Sequence, residues 1–148
     1  MLLGQDRRQT REVFFRAWQR HRENLPLEGI ESLIVAIALR HPEYHALLEH
    51  PTQIEDRDYL PESGQANPFL HMGMHIAIEE QLALDQPRGM RAQYQRLCAQ
   101  LVDEHTAQHH IMECLGEWLW RAGRDGAAPP EADYLNCLAR LAGGTTPD

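Results

Sequence analysis

Apolar positions recur along most of the chain at the three- and four-residue spacing of amphipathic helices, and no stretch alternates at the two-residue period of a strand. The first such segment places Val13, Phe14, Ala17 and Trp18 inward, with Asp6 as its cap and Arg7, Arg8, Arg11, Arg16 and Arg20 largely outward. Residues 27–40, LEGIESLIVAIALR, are apolar over much of a helical surface. Pro42 either opens a further helix through HPEYHALLEH or kinks the preceding one, and Pro51 ends that segment. Residues 51–66 lack any period and are rich in breakers, which predicts a long ordered loop.

Asn67 followed by Pro68 is a helix-start signal, opening FLHMGMHIAIEEQLALD to about Asp85. Pro87 starts another helix through Tyr94, Leu97 and Leu101. Asp103 caps the long segment EHTAQHHIMECLGEWLWRAG; residues 123–130 form a loop, and Tyr134, Leu135, Leu138 and Leu141 lie on a last helix. The expected fold is all-α: one domain over 1–148, an irregular bundle of six or seven helices.

Length and charge narrow the partners. A chain of 148 residues suits one domain with a proper core. Fourteen cations, all arginine, against 22 acidic residues give a net charge of −8, which argues against nucleic acid or an anionic membrane surface as partner. The sequence has no apolar run of transmembrane length, and MLLGQDRR has no secretory apolar core, so a cytoplasmic location is expected. Cys98, Cys114 and Cys137 form an odd set without C-x-x-C spacing, indicating neither a disulfide framework nor a thiolate zinc site.

The candidate chemistry lies in the nine histidines. A nine-residue pattern, His-x-x-x-His-x-x-x-Glu, occurs at His41/His45/Glu49, at His71/His75/Glu79 and at His105/His109/Glu113. Chance would supply on the order of 0.05 such matches. Residues four apart on a helix have Cβ atoms about 5–6 Å apart, near enough for two imidazoles to share a metal. Imidazole with carboxylate suits iron first here, with zinc, manganese or nickel as alternatives. Eight residues of helix span about 12 Å, so one ion cannot take all of one triplet. Two ions divided among the triplets is the preferred arrangement; the other is one ion on His45, His75 and His109, with the flanking residues orienting the rings.

His41 is the weakest member, because Pro42 pushes it out of helical geometry. Gly73 and Gly116 suit close helix approach, and Asp56, Asp58 and Tyr59 of the 51–66 loop can cover one end of the centre. His50 and His110 fall off the pattern, and Trp118 and Trp120 read as core and interface packing. No nucleophile triad, phosphate loop or dinucleotide fingerprint occurs, so no catalytic residue is assigned. A small molecule or a second copy of the chain remains as partner. A non-enzymatic interaction module without metal is the alternative function.

The stretches HPEYHALLE, DRDYLPE, NPFLHMGMHIAIEEQ and HHIMECLGE resemble a bacterial family described as domain of unknown function 1841, from about Gln5 to Leu141. That resemblance implies no activity; it places the triple pattern in the family's recognisable segments. More loosely, the spacing is similar to hemerythrin, which holds two irons between helices through histidines and carboxylates. The chain departs from it in lacking H-x-x-x-x-D on the last helix, and it also lacks the Glu-x-x-His of ferritin-like sites. DinB-like bundles, which bind one metal through three histidines, match the single-ion arrangement.

Overall fold

Prolines and capping side chains set most helix starts in the computed structural model, which describes residues 7–54, 57, 59, 67–101 and 103–143. Among these residues there are eight α-helices and no strand. They are α1 (Arg7–Arg22), α2 (Ile30–Leu39), α3 (His45–Leu48), α4 (Pro51–Ile54), α5 (Pro68–Leu84), α6 (Met90–Gln100), α7 (Glu104–Asp125) and α8 (Glu131–Leu141). The all-α expectation holds, and the helix beyond the expected seven is the single turn α4. Pro51 therefore starts a helix where the sequence predicted the beginning of a loop. Most of the remaining predicted loop, with Asp56 and Asp58, and the Asp6 cap lie outside the described residues.

Contacts divide the chain into two units, residues 1–77 and 78–148, with the division falling inside α5. In the first unit, Phe14, Trp18, Ile34, Ile37, Phe69 and Met72 form the centre of the core. Phe69 meets Phe14 and Phe15 edge-on, with ring centroids 5.8 and 5.7 Å apart. Helix α1 stops at Asn24, which takes left-handed backbone (φ 57°), a conformation that Asn tolerates better than most residues.

Arg11 departs from the outward placement expected of it. It shares a helical stripe with Phe14 and Trp18 and is 1% exposed. Its Nη1 donates to the carbonyls of Ile54 (2.9 Å) and Arg57 (2.7 Å). The guanidinium also lies 4.8 Å from the Phe69 ring centre and 5.5 Å from that of Tyr59. Burial of the cation is thus offset by carbonyl dipoles and ring faces.

Asn67 caps α5 as expected, its Oδ1 accepting from Phe69 N–H (3.0 Å) and Leu70 N–H (3.2 Å). Asn67→Ala is expected to cost about 1 kcal/mol in urea unfolding, and Asn67→Asp almost nothing.

In the second unit Ile78, Met90, Leu97, Ile111, Leu115 and Leu138 are buried. Helix α6 starts three residues after Pro87, at Met90, and α7 runs to Asp125, three residues into the predicted loop. Gly126 ends α7 with left-handed backbone (φ 73°), where a side chain would be strained. A disulfide joins Cys114 on α7 to Cys137 on α8, contrary to the sequence reading. Its signal is positional: both cysteines lie 11 or 12 residues from Gly126, so an antiparallel helix pair brings them level. Trp120 does not join a core; it is 63% exposed, with the Arg124 guanidinium 4.8 Å from its ring centre.

Asp103 caps α7, accepting from Thr106 N–H at 2.7 Å. That backbone hydrogen bond holds its carboxyl below the usual carboxylate range. Because the folded value is the lower one, the cap contributes fully above the ordinary carboxylate pKa and is lost as pH falls through the lowered value. Asp103→Asn should therefore flatten the acid limb of thermal stability against pH while leaving the neutral Tm nearly unchanged.

Candidate metal centre

The three His/Glu triplets fold differently. Residues 41–49 do not form one helix: a 3-10 turn, Pro42–Tyr44, precedes α3. His41 sits before Pro42 with φ −128° and ψ 71°, the extended-side geometry that a following proline imposes. This break rotates His41 and His45 away from a shared face.

His41 is 2% exposed. Its Nδ1 lies 2.9 Å from the Ile37 carbonyl, which can only accept. Nδ1 therefore carries the proton, and Nε2 carries the lone pair. His71 Nε2 stands 3.2 Å from that lone pair. The rings of His41, His71 and His75 lie with centroids 4.9–5.0 Å apart, and Tyr44 stacks on His41 at 5.2 Å. Burial, with Glu43 nearby, raises the Tyr44 hydroxyl above its ordinary pKa, so it stays neutral.

Helix α5 is unbroken, so His71 and His75 do share a face, with His75 fully buried. Helix α7 treats His105 and His109 the same way, with ring centroids 4.1 Å apart and both rings half-buried. In the first unit, one ring nitrogen of His41 stands 3.2 Å from one of His71 and within 4.8 Å of one of His75, so three imidazoles converge. Adjacent ligands of a tetrahedral ion with 2.0–2.1 Å bonds stand about 3.3 Å apart. Small side-chain shifts therefore suffice for these nitrogens to hold one metal ion.

The other candidates lie elsewhere. His45 Nε2 donates to the Ala38 carbonyl at 2.8 Å, and its ring packs on Trp18 at 4.5 Å. Glu49 pairs with Arg22 at 3.0 Å. Glu113 is exposed. Glu79 is half-buried and accepts from Gln108 Nε2 at 2.6 Å. Gln108, 1% exposed, was not singled out from the sequence; its only signal is a polar residue beside Ala107 on the buried face of α7. His50 is exposed and bonded to its own helical turn, and His110 is half-buried. Tyr59 packs against the core of the first unit.

Fold and site together define an all-α protein with a histidine cluster able to hold a metal. The chain matches the family Domain of unknown function (DUF1841) over residues 6–140 and belongs to it. No curated protein and no solved structure matches it. Among the described residues, no helix is long and apolar enough to cross a membrane.

Proposed function

We propose that the protein binds one divalent first-row transition-metal ion through His41, His71 and His75, with iron the first expectation and zinc, manganese or nickel the alternatives. The convergence of these three imidazoles carries the reading. The His41 Nδ1 bond to Ile37 supports it, because a second-sphere carbonyl of this kind fixes the tautomer that a ligand needs. His71 donates to the same His41 nitrogen, so an ion taking that lone pair displaces the His71 proton and takes His71 as a ligand too.

Carboxylate placement favours one ion over two. A second ion needs bridging or terminal carboxylates, yet Glu49 is engaged by Arg22 and Glu113 is exposed. Glu79, one helical turn beyond His75, is half-buried and already accepts from Gln108. With an open coordination position, the ion's chemistry would be binding or activation of O2, water or another small molecule.

Elemental analysis with an absorption spectrum, on tag-free protein purified without chelator, tests this reading. The expected result is about one metal per chain and a spectrum perturbed by azide. About two irons per chain would restore the two-ion arrangement. No metal after reconstitution with iron, zinc, manganese and nickel would leave a helical interaction module whose histidines tie helices together.

A further inference from the structure

We propose that the Cys114–Cys137 disulfide is a thiol-exchange site, opened by a low-molecular-weight thiol that enters the cavity against it. The cavity follows from helix periodicity. Cys114, Trp118 and Arg121 form one stripe of α7, and Asp133, Cys137 and Arg140 form one stripe of α8. These two stripes line a cavity of about 230 Å³, open to solvent, with both cysteines in its wall. Several non-hydrogen atoms fit there, since one water takes about 30 Å³ of liquid volume.

The two sulfurs differ in access. Cys114 is 2% exposed, whereas Cys137 is half-buried. An incoming thiolate therefore attacks Cys137 Sγ. A sulfur–sulfur bond forms between the small thiol and Cys137, and the Cys114–Cys137 bond breaks. Cys114 Sγ leaves with the electron pair and takes a proton from water. A second thiol then attacks the mixed disulfide, releasing the oxidised small-molecule disulfide and Cys137 as the thiolate.

The wall carries two arginines and two carboxylates, Glu117 and Asp133, so its net charge does not repel an incoming thiolate. Arg121 pairs with Asp133 at 3.1 Å, neutralising that carboxylate, and Arg140 lies one turn beyond Cys137. A cation so placed stabilises a thiolate. Reduction leaves α8 fastened by other means. Tyr134 donates to Gln81 at 2.8 Å, and Leu138 and Ala139 are buried. The exchange therefore needs no unfolding, unlike that of an enclosed disulfide.

The test uses the full chain with Cys98→Ala throughout, so that only this pair reacts. Reduced glutathione is added to the oxidised protein in native buffer, and intact mass and circular dichroism are followed together. The expected result is loss of the disulfide while helicity persists, with the transient adduct mapping to Cys137. In a second arm, glutathione disulfide is offered to Cys114→Ser and to Cys137→Ser. The first, which keeps Cys137, should be labelled at least about tenfold faster, as its greater access requires. Reduction only at denaturant concentrations that unfold the chain, or equal labelling of the two variants, would overturn the proposal. Two free thiols in the Cys98→Ala protein after exposure to glutathione disulfide would overturn it too.

Discussion

At a free metal concentration about 100-fold above its dissociation constant, the wild-type chain should gain about 2.7 kcal/mol of stability, and His75→Ala should gain none. For a chain of this length that gain raises Tm by about 5–10 °C, which calorimetry with and without metal reads directly. His75 is the discriminating position because it is fully buried on an unbroken helix and belongs to the three-imidazole set. Its removal opens a small cavity as well, so the quantity to compare is the metal-induced shift and not the absolute Tm. His45→Ala supplies the contrast. That ring holds the Ala38 carbonyl and packs on Trp18, so its loss should lower the baseline while leaving the metal-induced shift intact. Equal shifts in wild type and His75→Ala would remove the three-histidine centre from consideration, whatever the metal content.

The contrast between His45 and His41 also marks where sequence spacing could be trusted. Along α5 and α7 nothing interrupts the helix, so the four-residue interval does bring His71 to His75 and His105 to His109. Asn67 and Asp103 were legible as caps for the same local reason: one side chain meets the first free N–H groups of its own helix. Pro42 defeats the same logic at 41–49. It was read as weakening His41, and it does take His41 out of the helix, but the resulting turn buries that ring beside His71 and His75. His45, which looked central, enters a separate helix and a different hydrogen bond. The carboxylates were illegible because their partners, Arg22 for Glu49 and Gln108 for Glu79, are distant in sequence. C-x-x-C spacing does not reveal the disulfide; the symmetry of Cys114 and Cys137 about the α7–α8 turn carries its signal.

Arg11→Met should be among the most destabilising single substitutions in the first unit, costing about 3 kcal/mol or more in urea unfolding. Methionine fills part of the space that the arginine stem occupies but supplies no donor. The Ile54 and Arg57 carbonyls then lose the charged hydrogen bonds at 2.9 and 2.7 Å, and the Phe69 and Tyr59 rings lose the cation at their faces. Bonds to charged groups of this kind are worth about 1.5–3 kcal/mol each, and unsatisfied buried carbonyls add a desolvation cost. Arg11→Lys should recover little, because one ammonium cannot present the planar fork that serves two carbonyls while lying flat against a ring. Arg16→Met, on the same helix but exposed and paired with Glu12 at 3.3 Å, should change stability by less than about 0.5 kcal/mol. A loss at Arg11 no larger than that at Arg16 would mean that Ile54, Arg57 and Tyr59 are held by their own packing, and that the buried guanidinium is tolerated there without supporting them.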